Sequence, residues 1–455
     1  MSREFWQRPA IFCALQRIAY LERAAAHVLA GWMPKIVGID TTLTLGRFQY
    51  ASMQNASTLR NTTQSLSLPI GGFRLSLPEG WRNYACAIDR SASEPILLWS
   101  LFADLKRRAK GLVVDVLGGT DPVLDTNIRE QLETALRSLE TQIAWYEAQH
   151  LTGAPEEHAR VLQALWEARE AGAPTDVSEW LWAPIDRVPR PSRPGHMRFA
   201  TRGALSSRAI YEDEVEHTRQ MFHGMTDEEI TTLELFARCS YEHPDMPEEF
   251  HAAMARQMFD ESRHAQACIN TLEDFGGTYG DLPISTGVYD FHYHHAPCEP
   301  GSKRELLWRL LLRSTFEEAL SLDGFVLQIK KRAFYGQEQV TRVLGAIMSD
   351  EIFHVRSGVR WSTYLCNGDR RRAREEREQA HAFDLEQLEK IRREFVMANP
   401  EQALEELAFM RMRDAVVPKR FPFSLDISIN RAARKAAGMD DEDMAQVVEW
   451  GYAKP

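Results

Sequence analysis

The sequence predicts a mainly α-helical protein built around a four-helix bundle that holds two metal ions. Two observations lead there. The first is a repeated string. Asp260-Glu261-Ser262-Arg263-His264 and Asp350-Glu351-Ile352-Phe353-His354 both read Asp-Glu-x-x-His, with the glutamates 90 residues apart. Residues three apart share a helix face, so each string points a carboxylate and an imidazole at one spot. Two such helices, plus one glutamate from each of two others, make the inward-facing ligand set of a di-iron or di-manganese bundle. The second observation is helical periodicity, which dominates from about residue 205 to 395.

Composition narrows the class. A chain of 455 residues has room for two to three domains, or one domain with large additions. Its 44% hydrophobic content supplies ample core, and its net charge of −11 argues against a surface that coats nucleic acid. The cysteines, Cys13, Cys86, Cys239, Cys268, Cys298 and Cys366, form no C-x-x-C pair. They fit free thiols in a reducing compartment and offer no zinc framework. Arg3, Arg8, Arg17, Glu22 and Arg23 interrupt the N-terminal apolar residues, so no secretory signal is expected. No stretch approaches the ~18 apolar residues of a membrane span. The expectation is a cytoplasmic protein with no membrane partner. Walker, G-x-S-x-G and G-x-G-x-x-G signatures are missing.

Taken in order, residues 9–35 read as a helix through Ile11, Leu15, Ile18, Leu21, Ala25, Val28 and Leu29, until Gly31 and Pro34 intervene. A second helix, rich in Thr, Gln and Asn, covers 40–66; Gly and Pro break the chain from 69 to 80, with a short strand near Phe73–Leu77. Helices follow at 93–110, 125–150 and 155–172, completing a largely helical N-terminal domain, 1–183. A Pro/Arg-rich linker spans 184–204. The bundle domain, 205–397, contains helices at 205–242, 247–275, 303–334, 338–366 and 369–397. The run Arg370–Arg377 reads as a solvated helix face. A partly helical C-terminal extension, 398–455, has a Pro-rich break at 418–422. The pair of motif-bearing hairpins is the internal symmetry that the sequence displays.

Hairpin geometry selects the partner glutamates. In the second hairpin the turn lies near Tyr335-Gly336-Gln337, Glu351 and His354 fall 15 and 18 residues after Gly336, and Glu318 falls 18 before it. Neighbouring Glu317 points about 100° away, and the stripe Leu311, Thr315, Glu318, Leu322, Phe325 favours Glu318. The first hairpin turns at Glu242–Pro247, and Glu261 and His264 lie 17 and 20 residues after Pro244. The matching height is 226–229, where Glu228 and Glu229 both qualify; Glu234 is 10 residues before Pro244. Symmetry favours Glu229: Glu318 to Glu351 spans 33 residues, Glu229 to Glu261 spans 32, and Glu234 to Glu261 spans 27. A competing reading makes Thr226-Asp227-Glu228-Glu229 a capping box, with Gly224 and Thr226 interrupting the helix and Glu229 committed to the backbone. The expected metal ligands are Glu229, Glu261, His264, Glu318, Glu351 and His354, with Glu234 as the alternative on the first helix. Four glutamates match the charge of two divalent ions, and neutral imidazole suits Fe(II). Asp260 and Asp350 are placed to accept the spare ring N–H of the histidine on the opposite motif helix.

These strings resemble the ferritin-like di-iron carboxylate superfamily. More narrowly, the chain is similar to the domain-of-unknown-function 455 ferritin-like family, related to the tRNA hydroxylase branch. The resemblance runs from about 215 to 366 and is carried by Leu233-Glu234-Leu235, His243-Pro244-Asp245-Met246-Pro247-Glu248-Glu249-Phe250, the two Asp-Glu-x-x-His strings, Tyr279-Gly280-Asp281-Leu282-Pro283 and Glu318-Ala319. It implies a ferritin-like four-helix bundle with ligands at Glu229 and Glu318. The first 185 residues have no firm counterpart. Gly31-Trp32-Met33-Pro34 and Leu45-Gly46-Arg47 resemble helical segments attached to other ferritin-like proteins, without a ligand set, so this part reads as a packing or substrate-covering domain.

The expected function is a di-iron oxygenase or oxidase. It would activate dioxygen to hydroxylate, N-oxygenate or desaturate a small organic substrate, with electrons from an external donor. The cofactor is two iron ions, with Mn/Fe also compatible, and a homodimer is left open. The alternatives are a tRNA-modifying hydroxylase, against which the acidic balance argues, and a metal-binding bundle without organic turnover, either ferroxidase or structural. Phe236, Thr315, Leu322, Phe325 and Val355 are candidate pocket liners, with plain core as the competing reading. His292, His294 and His295 are expected in a solvated loop. Arg304, Arg309 and Arg313 are expected as an exposed stripe that could attract an anion.

Overall fold

The computed structural model describes residues 5–65, 76–151, 153–176, 180–201, 214–294, 297–416 and 421–454. The chain is mainly helical and divides into two compact units. Unit 1 comprises 1–188 with 236–259, and unit 2 comprises 189–235 with 260–455. The division at 188/189 falls within the stretch expected as a linker. The tip of the first hairpin, 236–259, belongs to unit 1 because its side chains pack there. Ala255 joins Ala26 and Met53 in one apolar cluster, and the buried Arg238 guanidinium donates to Gly31 O at 3.0 Å.

In unit 1, α1 (Arg8–Trp32) is buried almost all round from Ile11 onward, as a central helix must be. It packs on α2 (Ile39–Ser65) and α5 (Lys106–Gly119), while α6 (Thr126–Ala148) packs on α5 and α2. The α1 C-terminus approaches the hairpin tip closely. A Cβ at Gly31 would lie 2.5 Å from the Tyr241 ring, so only glycine fits there. Strand β1 (Ser76–Pro78) pairs antiparallel with β2 (Pro174–Asp176), Ser76 opposite Asp176. Residues 73–75 of the expected strand lie outside the described residues. Two features depart from expectation. Helix α3 (Glu79–Asp89) begins at the end of the expected Gly/Pro break and runs through a stretch to which no element was assigned, because Trp81, Tyr84, Ala85 and Ile88 make one buried face. The expected helix 93–110 is not uniform: α4 (Glu94–Leu98) passes into a π-helical turn, Trp99–Leu105, before α5. Helix α7 (Glu156–Glu167) packs on α3.

Helices α8 (Glu214–Tyr241) and α9 (Glu248–Asp274) contribute to both units, with Glu214–Leu235 and Asp260–Asp274 in unit 2. Residues 205–213 of the expected helix lie outside the described residues. Where a loop was expected, unit 2 has α10 (Gly287–His294), because Tyr289 and Tyr293 stack at 4.8 Å and bury with Leu235. The expected helix 303–334 is α11 (Lys303–Arg309), a π-helical turn (Leu310–Glu317) and α12 (Glu318–Phe334). This segment packs along α13 (Glu338–Leu365) so closely that a Cβ at Gly358 would lie 2.4 Å from Ser314 Cβ.

The C-terminal part is integral to unit 2. After α14 (Arg370–Ala398) and α15 (Pro400–Val416), α16 (Arg431–Ala436) lays Ala433, Ala437 and Met439 against Ala319, Leu322 and Val355. Arg434 bonds Asp323 at 2.6 Å with both side chains fully buried. The Arg370–Arg377 run is a solvated face only in part, with Arg371, Arg372 and Glu375 exposed. Arg370 reaches Asp443 at 2.7 Å and Arg374 reaches Asp440 at 3.1 Å, and Arg377 is buried, all against α17 (Asp441–Glu449) and its cap. Pro418 of the expected break lies outside the described residues. Among the described residues, no helix is long and apolar enough to cross a membrane.

Candidate metal centre

Four helices of unit 2 bring the six expected ligand residues together. Glu229 comes from α8, Glu261 and His264 from α9, Glu318 from the start of α12, and Glu351 and His354 from α13. Their donor atoms form two overlapping groups, Glu229–Glu261–His264–Glu351 and Glu261–Glu318–His354, each within 4.8 Å. Glu261 belongs to both. All six residues are buried.

Helix α8 runs unbroken through Gly224 and Thr226, and the Thr226 hydroxyl donates to Phe222 O at 2.7 Å inside the helix. The capping-box reading is therefore wrong, and Glu229 is free of the backbone role it implied. Glu234 does not reach the cluster. Arg193 grips it with two bonds of 2.5 and 2.8 Å, a bidentate pair that satisfies a buried carboxylate. Glu228 lines a cavity of about 680 Å³ together with His223, Asp227, Thr231 and Ser285.

Both imidazoles turn Nδ1 inward. His264 Nδ1 lies 3.4 Å from Glu261 and 3.5 Å from Glu229. His354 Nδ1 lies 3.0 Å from Glu351 and 3.3 Å from Glu261. Each Nε2 faces the aspartate of the opposite motif: His264 donates to Asp350 at 3.2 Å, and His354 Nε2 is 3.5 Å from Asp260. Such pairing sets the ring orientation and tautomer. Arg263 ties the two aspartates together, bonding Asp350 at 2.8 Å and also Asp260.

The donor set fits a cation. Neither Glu261 oxygen has a hydrogen-bond partner, nor does His264 Nδ1. A buried carboxylate left so is costly unless something else neutralises it. Burial pushes the Glu261, Glu318 and Glu351 carboxyls above their ordinary value. Burial would also raise Glu229, but the His264 ring 3.5 Å away and the neighbouring Glu261 carboxyl bring it down to about 2. Burial opposes protonation of His264, yet its hydrogen bond to Asp350 and the Glu229 and Glu261 carboxylates beside Nδ1 carry it well above its ordinary value.

Sequence reading missed two neighbours. Arg313 is not part of an exposed stripe; it is buried, with Nε 2.9 Å from Glu318 and Nη1 3.0 Å from Glu317. Arg309 is also buried and pairs with Glu305 at 3.1 Å, while Arg304 alone stays half-exposed, 3.1 Å from Glu376. The π-helical turn changes the facing of residues 310–317, which an α-helical stripe count does not capture. Arg263 sits inside the motif, and its i−3 relation to Asp260 was the available signal. His292 is likewise no solvated loop residue: it is buried and donates to Glu317 at 2.9 Å. Among the candidate pocket liners, Leu322 and Val355 are core, and Thr315 is buried with its hydroxyl donating to Leu311 O at 2.6 Å. Phe236 is buried in unit 1.

Residues 151–445 match the family described as "Protein of unknown function (DUF455)". The match covers 295 of 455 residues, and the chain belongs to that family. No curated protein and no solved structure matches it.

Proposed function

We propose that unit 2 is a ferritin-like four-helix bundle carrying a dinuclear metal centre, and that the protein is a non-haem di-iron oxygenase or oxidase. The observation that carries this reading is the pair of donor groups sharing Glu261. A carboxylate common to two groups is suited to bridge two cations. Glu229 and His264 would complete one position, Glu318 and His354 the other, with Glu351 beside both. Mn/Fe loading is compatible with the same donors.

A reduced iron pair in such a site supplies electrons for the reduction of dioxygen. The chain's own residues do the rest. The four carboxylates neutralise the cations. Asp260 and Asp350 hold the imidazoles by Nε2 so that Nδ1 faces inward. Arg313 offsets charge at Glu318, and burial excludes bulk water. The cavity of about 680 Å³ beside Glu228 has room for a small organic substrate, and its Asp227 and Glu228 carboxylates lie next in sequence to Glu229.

The test is anaerobic loading with Fe(II), metal quantification, then admission of oxygen. About two irons per chain, with oxygen consumed in excess of that needed to oxidise them once a reductant and substrate are present, is the expected result. More than trace metal failing to bind the intact protein would sink the metal reading. Iron that binds and oxidises without further oxygen uptake under any reductant would return the ferroxidase reading.

A further inference from the structure

The two units share a plan that the sequence does not display as a repeat. In unit 1, α1, α2, α5 and α6 pack as two hairpins, α1–α2 and the α5–α6 pair. The third helix of each set contains a π-helical turn that ends one residue before a buried charged residue. Trp99–Leu105 precedes Lys106, and Leu310–Glu317 precedes Glu318. π-helical turns are rare and concentrate at functional sites, so two of them in matching positions are informative. The spacing continues downstream. Glu351 and His354 follow Glu318 by 33 and 36 residues, and Leu139 and Gln142 follow Lys106 by the same 33 and 36. On the first hairpins, Glu261 and His264 follow Glu229 by 32 and 35 residues, and Ser52 and Asn55 follow Glu22 by 30 and 33. All six positions in unit 1 are buried.

Where unit 2 gathers donors, unit 1 holds an ion pair. Lys106 Nζ donates to Glu22 at 2.8 Å and to the Ser52 hydroxyl at 2.7 Å. Asn55 Nδ2 donates to the other Glu22 oxygen at 3.0 Å. Lys106 and Glu22 side chains are fully buried. The exchanges run in one direction: lysine stands where the plan has Glu318, serine and leucine where it has Glu261 and Glu351, and asparagine and glutamine where it has the histidines.

We propose that unit 1 is a second bundle of the same design whose resident cation is the protein's own Lys106 ammonium, held by Glu22 and Ser52 at the place where unit 2 takes metal. The comparison rests on the metal reading of unit 2 given above. Unit 1 then takes no metal as it stands. Its interior becomes a cation site once the ammonium is removed.

Cobalt(II) titration of the full chain tests this. Wild type is compared with the variant Lys106→Glu/Ser52→Glu/Asn55→His, which supplies three carboxylates, counting Glu22, and one imidazole. One additional Co(II) per chain over wild type, with the visible absorption of inner-sphere Co(II), is expected. No additional Co(II) in a variant that keeps wild-type helical circular dichroism would overturn the proposal. The wild-type stoichiometry reports on unit 2 separately, so a failure of the metal reading is distinguishable from a failure of this one. If the triple variant does not fold, Lys106→Ala decides, by melting or refolding in methylammonium chloride against equal sodium chloride. A rise of several degrees in Tm, or recovered refolding yield, in methylammonium alone supports the proposal. Equal behaviour in both salts overturns it.

Discussion

The interiors of the two units resolve the same electrostatic problem in opposite ways. Unit 2 buries Glu229, Glu261, Glu318 and Glu351 around two imidazoles and leaves both Glu261 oxygens without a hydrogen-bond partner. Unit 1 buries one carboxylate against one ammonium, and Asn55 occupies the second Glu22 oxygen. At these positions unit 1 satisfies its carboxylate with its own ammonium and amide, whereas the unit 2 cluster could hold a metal ion. On the proposed common plan, a helical frame with a π-helical turn in its third helix accommodates either solution, and side-chain identity at a few buried positions selects between them.

The sharpest way to break this contrast is Glu261→Ala. It removes the one residue common to both donor groups, so metal content should fall to background rather than to half. Retention of one tightly held metal would show that the positions are independent. Next is Lys106→Met, which leaves Glu22 buried and unpaired and should cost about 3–5 kcal/mol in urea unfolding. Adding Glu22→Gln should recover most of it, and an undiminished single variant would deny that the pair matters. Asp350→Asn should be milder. Loss of the carboxylate that orients His264 should weaken metal binding about 10–100-fold in a competition titration, with helix content unchanged; equal affinity would assign Asp350 to surface charge.

The smallest effect per step is in pH. Burial raises Glu261 and Glu318 above 4.5, and hydrogen-bonded carboxylates raise His264 above 6.5 against the opposing effect of burial. Protons on these raised groups compete with metal below their pKa values, and the competition disappears above them. Apparent affinity should therefore climb by about tenfold per pH unit for each proton displaced, continuing above 6.5. A plateau already reached there would mean that His264 does not hold its proton.

The six-residue set was legible because turn-to-ligand distance on a hairpin is set by the helix rise, which the sequence encodes directly. Helix boundaries in most of the chain followed from periodicity for the same reason. The capping box at Thr226 was misread because its pattern is local, while the helix through it is stabilised by burial of Phe222, Thr226 and Ile230 on the interior face. Arg313 and His292 were misread because a π-helical turn and a tyrosine stack redirected them inward.

By itself the sequence determined that two helices carry paired carboxylate–imidazole faces and that two further glutamates stand at the same height, since helical rise and turn position are local quantities. Tertiary structure alone decided that Glu261 is shared, that Arg313 turns inward onto Glu318, and that Lys106 pairs with Glu22 and Ser52 inside unit 1. Those are set by packing between residues far apart in the chain and, for Arg313, by the π-helical turn.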